Sequence, residues 1–264
     1  MHDFHHLVYL DLQKTGSTFV SQFLNDTCLL RCEKEIKHGR ITSDYRPDAY
    51  YFITIRHPLD QYQSLYRYGL DGKGGLYERI VKNSRGSIYK DGAGGFPAWL
   101  EFMLDPSSAK YFGEGYDAVR NGLPAWQRVL IPVLHPVRRL LGRHDDYSGQ
   151  GLRDCGFLSF RFLMLSLRFP LRTLSRCDAS DLSACLRDAQ IFDRVIRQEQ
   201  LNDGLRALAT IDKPEFFDQA RVAEFFRKRE TRINASSEQP LAEPGSALMA
   251  ELRRREKILF DYYP

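Results

Sequence analysis

The chain has 264 residues, 43% of them hydrophobic, with a formal net charge of +4 and five cysteines. That length buries a substantial core and reads most simply as one domain, 1–264. No apolar run approaches the roughly 20 residues of a bilayer span, the first strand-like run begins too early for a signal peptide, and the odd cysteine set lacks paired C-x-x-C spacing. A cytoplasmic protein with reduced thiols, no nucleic-acid partner and no metal is therefore expected, while peripheral membrane association stays open.

In chain order, a strand over about Leu7–Leu12 runs through Lys14-Thr15-Gly16-Ser17-Thr18 into a helix over about Ser17–Asp26, with Phe19, Val20, Phe23 and Leu24 at core-facing spacing. A helix start after such a turn is an anion cradle, because its first N–H groups lack partners and the dipole there is positive. Gly16 permits the tight turn, Lys14 adds a cation, and Thr15, Ser17 and Thr18 add hydroxyls. The lysine precedes the only glycine, so the loop is not a Walker A sequence. Cys28 and Cys32 can share a helix face; Cys155, Cys177 and Cys185 read as free thiols.

A second strand, Tyr50–Ile55, ends at Arg56, and Pro58 opens a helix over Pro58–Tyr68 that carries Ser64 and stops at Gly69. Glycines from Gly72 to Gly95 suggest mobile loops, lids or plain surface connections. A short helix is expected over Phe96–Leu104, and broken helical segments over Leu123–Leu141, interrupted by Pro124, Pro132 and Pro136. Phe157–Leu165 is ambiguous between strand and helix. The region from Arg120 to Arg176 holds ten arginines against three aspartates, either a site for an anionic partner or a solvated face. Trp99 and Trp126 either stack on sugar rings or pack the core. Asp188–Ala209 has a helical pattern, and Ala247–Tyr262 reads as a docking helix with Arg253, Arg254 and Arg255 outward. Two parallel strands, each followed by a helix that starts with an anion site, describe an α/β sheet with its ligand at the strands' carboxyl ends.

The two junctions, Lys14-Thr-Gly-Ser-Thr and Arg56-His57-Pro58 with Ser64, resemble in order the 5′-phosphosulfate loop and 3′-phosphate motif of PAPS-dependent sulfotransferases, especially the carbohydrate, 2-O-sulfotransferase-like branch. Gln13, His57 and Gln61 depart from the family's usual proline, Asp or Asn, and arginine. The resemblance implies a P-loop-like three-layer fold, with a central mainly parallel sheet flanked by helices and a helical elaboration at about 70–180 that contributes to acceptor binding. It implies PAPS as donor and PAP as product. Lys14, Thr15, Gly16, Ser17 and Thr18 then bind the 5′-phosphosulfate, and Arg56 and Ser64 the 3′-phosphate. Phe192–Glu199 resembles a helix late in these enzymes, and Arg232, Asn234 and Ser236 resemble a segment closing over the nucleotide; a turn explains the same residues.

Sulfuryl transfer asks for positioning, charge stabilisation and a base. Lys14 suits the leaving-group role. His38 is the preferred base by its chemistry; beside Gly39 and upstream of the second strand it also resembles the histidine base of 2-O-sulfotransferase-like relatives, while Glu33 and Glu35 resemble the glutamate base of other branches or serve as helix-surface charge. The acceptor is a hydroxyl, most readily of a carbohydrate or polysaccharide, anionic or neutral. The competing readings are a P-loop kinase or other NTP enzyme and a non-catalytic binder of anionic polymers.

Overall fold

The computed structural model describes residues 1–41, 45–83, 85–90, 94–113, 116–117, 155–168, 189–229 and 241–263. In chain order the elements are β1 (His2–Asp3), β2 (Leu7–Leu10), α1 (Ser17–Thr27), β3 (Lys34–Glu35), β4 (Tyr50–Ile55), α2 (Pro58–Leu70), α3 (Gly75–Lys82), α4 (Gly95–Leu104), α5 (Phe157–Ser166), β5 (Arg194–Arg197), α6 (Leu201–Ala207), α7 (Gln219–Arg229), α8 (Ser246–Arg255) and α9 (Lys257–Phe260). They gather into two compact units, Met1–His57 with Ile191–Pro240 and Pro58–Gln190 with Leu241–Pro264.

The first unit is an α/β unit around a mixed, open five-stranded sheet of order β3-β1-β2-β4-β5. β2, β4 and β5 run parallel, with Leu10 opposite Ile53 and Ile53 opposite Val195, while β1 is antiparallel to both β2 and β3. β4 is aromatic and β-branched throughout, the composition that fits a pleated, buried surface, and Tyr51 to Ile55 are buried. α1 turns Val20, Phe23 and Leu24 onto Tyr9 and Phe52 of the sheet, and α7 closes the same core with Phe225 and Phe226. The Phe23 ring lies 5.3 to 5.5 Å from those of Phe217, Phe225 and Phe226. Burial of one such ring stabilises by about 1.5–3 kcal/mol.

In the expected helix over Asp188–Ala209, Arg194–Arg197 is instead strand β5. The β-branched pair Val195-Ile196 gains a complete parallel ladder against β4, and that tertiary pairing overrides a local helical pattern. Helix resumes only at α6, followed by a π-helical turn over Leu208–Asp212. The Phe192–Glu199 likeness to a helix is corrected with it. α1 ends at Thr27 and Cys28 is extended, so Cys28 and Cys32 share no helix face; both are half-buried free thiols, pushed up by burial. Glu33 lies just before β3 and Glu35 on it, neither on a helix.

The second unit packs Tyr62 and Tyr66 of α2 against Phe96 and Trp99 of α4. Trp99 is fully buried, the core use of its ring, whereas Trp126 lies outside the described residues. Gly69 falls inside α2, Gly75 and Gly95 open α3 and α4, and Gly92 lies outside the described residues. Phe157–Leu165 is helix, buried along its length with Arg161 included. The carboxy-terminal segment breaks at Glu256 into α8 and α9, and Arg255, expected outward, is buried with its Nε 2.6 Å from Glu251. Glu256 accepts hydrogen bonds from Tyr62 Oη (2.5 Å) and the amides of Leu158 (3.2 Å) and Ser159 (2.7 Å). Burial pushes its carboxyl up from the ordinary glutamate value, only partly offset by those donors. No helix among the described residues is long and apolar enough to cross a membrane.

Candidate anion site at the sheet's carboxyl edge

In the first unit the parallel strands β2, β4 and β5 end together, and the segments that follow them form one edge. After β2 the chain turns through Lys14 at φ 65° and Gly16 at φ 90°, both left-handed. That region is strained for a lysine and free for a glycine. A Cβ at Gly16 would also lie 2.8 Å from Leu201 Cδ2 of α6, so residue 16 is fixed by conformation and by packing. Gly16 O accepts from the amides of Phe19 and Val20, which starts α1. The Ser17 and Thr18 amides take no hydrogen-bond partner among the described residues, and Gly16 has no side chain to cap them. Those are the groups an anion would engage.

Thr15 behaves differently from its neighbours. It is fully buried, and its Oγ1 donates to Leu12 O at 2.7 Å and meets Thr54 Oγ1 at 2.7 Å. Thr54 Oγ1 is in turn 2.7 Å from Tyr9 Oη. This chain of hydroxyls staples the loop to β4, so the Thr15 hydroxyl is spent within the fold. Burial pushes the Tyr9 phenol far above its ordinary value, which keeps it a neutral partner in that chain.

Arg56 follows the last residue of β4. Strand alternation that sends Phe52 and Thr54 to the α1 side gives Arg56 the same parity. Its Nε is buried and has no hydrogen-bond partner among the described residues, an arrangement that costs stability until an acceptor arrives. The next amide, His57 N, donates to Glu199 Oε1 at 2.9 Å, so the end of β5 brings a carboxylate to this edge that sequence reasoning did not place. Only the ladder that makes Arg194–Arg197 a strand reveals it.

His38 also reaches this edge. Its backbone is left-handed at φ 54°. Its amide donates to Asp11 Oδ2 at 3.2 Å, and its ring Nδ1 lies 3.2 Å from that oxygen and 3.1 Å from Asp11 O. Asp11 is 2% exposed at its side chain and His38 20%, so the carboxylate is sealed while the imidazole keeps a path outward. Burial pushes the Asp11 carboxyl up, but the His38 contacts outweigh that and hold it below the ordinary aspartate value. The alternative bases point elsewhere: Glu33 Oε2 lies 3.5 Å from His5 Nδ1, and Glu35 Oε1 lies 3.8 Å from His2 Nδ1 on the outermost strand pair.

Lys14 to Thr18, His38 and Arg56 thus share one edge of the first unit. Ser64 lies on α2 of the second unit, half-buried, eight residues after Arg56. Arg232, Asn234 and Ser236 lie outside the described residues, as does most of the arginine-rich 120–176 region. Among the described residues no group of three or more His, Cys, Asp or Glu is placed to hold a metal. The chain matches no family model, no curated protein and no solved structure.

Proposed function

We propose that the first unit binds the charged groups of a nucleotide donor at the carboxyl edge of β2 and β4, as part of a group-transfer enzyme. Within that class we read the chain as a PAPS-dependent sulfotransferase acting on a hydroxyl, most readily of a carbohydrate or polysaccharide. The observation that carries this reading is the pairing, on neighbouring parallel strands, of the open Ser17 and Thr18 amides behind the left-handed Lys14-Thr15-Gly16 turn with the orphaned Nε of Arg56. The reading includes a P-loop-like three-layer arrangement and a cytoplasmic setting.

The residues present fit such a donor. PAPS, when bound, supplies the sulfuryl group and a phosphate that leaves. The α1 amides and the hydroxyls of Ser17 and Thr18 hold 5′ oxygens, Thr15 fixes the loop from within, and Gly16 allows close backbone approach. Lys14 offsets charge growing on the leaving oxygen. Arg56 supplies a charge-assisted donor to the 3′-phosphate. His38, with Nδ1 turned to Asp11, presents Nε2 to take the proton of the acceptor hydroxyl.

Thermal unfolding with adenosine 3′,5′-bisphosphate and with Mg²⁺–ADP tests the donor, since a ligand at a hundred times its Kd stabilises by about 2.7 kcal/mol. Stabilisation by the bisphosphate and not by ADP is expected, together with transfer of labelled sulfate from PAPS to a hydroxyl acceptor. Equal or greater stabilisation by Mg²⁺–ADP would favour an NTP enzyme. Ligand binding governed by ionic strength alone and indifferent to Lys14→Ala would favour a non-catalytic polyanion binder.

A further inference from the structure

We infer that Asp11 is the positioning residue for the base, fixing both the backbone and the proton of His38 and tying them to the loop that carries Lys14. The inference rests on the reading of His38 as the base but concerns a residue that the motifs do not contain. Asp11 follows β2 by one residue and precedes Lys14 by three, so it belongs to the same short segment as the anion turn. Its Oδ2 receives the His38 amide at 3.2 Å, and that bond holds a non-glycine residue at a positive φ, a conformation that persists only where the surroundings fix it. The same oxygen and Asp11 O, at 3.2 and 3.1 Å, both face ring Nδ1.

Two acceptors on one ring nitrogen decide the tautomer. An imidazole nitrogen between a carboxylate and a carbonyl carries the proton, so Nδ1 is the N–H and Nε2 keeps its lone pair. A base needs that lone pair turned to its substrate. Asp11 Oδ1 is buried without a hydrogen-bond partner among the described residues, so the carboxylate's hydrogen bonds among them run to His38. Displacing the carboxylate would shift the base and, through the short Leu12-Gln13 link, the turn at Lys14.

The test has two arms. In the first, 15N NMR of the intact protein reads the His38 ring directly: proton on Nδ1 and an unprotonated Nε2 in the neutral form are expected, and a proton on Nε2 would overturn the inference whether or not the protein transfers sulfate. In the second, Asp11→Asn keeps an amide oxygen to accept from the His38 backbone N–H but removes the carboxylate charge that faces Nδ1. The share of the Nδ1–H tautomer should fall, and kcat for sulfuryl transfer should fall by about 10²-fold with acceptor KM little changed, the typical weight of a general base. Wild-type turnover in Asp11→Asn would overturn the positioning role. Absence of transfer in the wild-type protein would instead count against the sulfotransferase reading and leave the tautomer result to decide the role of Asp11. Should Asp11→Asn not fold, the wild-type tautomer alone decides.

Discussion

Helices α1 and α5 each follow a glycine, and they treat their first amides in opposite ways. At α5 the chain supplies its own anion: Glu256 accepts from Leu158 N and Ser159 N, and a side chain at Gly156 would collide with that carboxylate. At α1 no described side chain reaches the Ser17 and Thr18 amides, and Gly16 serves the turn and the approach of Leu201. Both starts carry the same positive end of a dipole. One is quenched by a buried internal carboxylate within the second unit; the other is left uncapped by described side chains, at the edge where β2 and β4 end. A helix start by itself therefore says little, and what its surroundings leave unsatisfied says more.

The largest effect that separates the two is expected at Lys14. Lys14→Gly removes the cation while suiting the φ of 65° better than lysine does. Transfer from PAPS should fall by about 10²–10³-fold, the scale of losing one preorganised charge-stabilising group. Thermal stability should hold or rise slightly, because the backbone strain is relieved. Labelled-sulfate kinetics beside a melting curve measure both, and undiminished transfer would remove Lys14 from the chemistry.

The filled helix start should fail in the other sense. Glu256→Gln turns an amide N–H₂ toward a site built of donors and should cost about 2–3 kcal/mol in urea unfolding. The pH dependence is set by the sign of the shift. Burial raises the Glu256 carboxyl above its unfolded value, so the folded state holds more protons there, and its contribution declines as pH rises through the window above the ordinary glutamate value. That slope should vanish in Glu256→Gln. An unchanged slope would mean that Glu256 is not the group responsible.

What the sequence made legible follows from range. β4, the start of α1 and Pro58 at the start of α2 are written in adjacent residues: β-branched and aromatic runs, a glycine turn, a proline whose φ suits a first helical position. The left-handed turn at Gly16 is equally local. β5 was not legible, because Val195-Ile196 becomes a strand only when β4 offers a ladder about 140 residues away. Asp11 is illegible for the same reason: nothing near it in sequence announces a partner, and its meaning arises when His38, 27 residues on, folds back over it. A hydroxyl beside a glycine turn is legible as a ligand group at Thr15, but its contact with Thr54 is not, because that hydroxyl comes from another strand.

Thr15 gives the smallest and most discriminating comparison within the anion turn itself. Thr15→Val keeps shape and the stiff χ1 of a β-branched side chain but deletes the donor to Leu12 O and the contact with Thr54 Oγ1. The loss should be about 1 kcal/mol, the net worth of a typical hydrogen bond, read as a lower urea midpoint. Affinity for adenosine 3′,5′-bisphosphate should stay at the wild-type level, because a fully buried hydroxyl stapled to β4 has no share in holding the ligand. If affinity fell while the urea midpoint did not move, the hydroxyl would be turning from Thr54 to the phosphate on binding. The loop would then rearrange around its ligand, and the open α1 start would owe its readiness to that movement instead of to the staple.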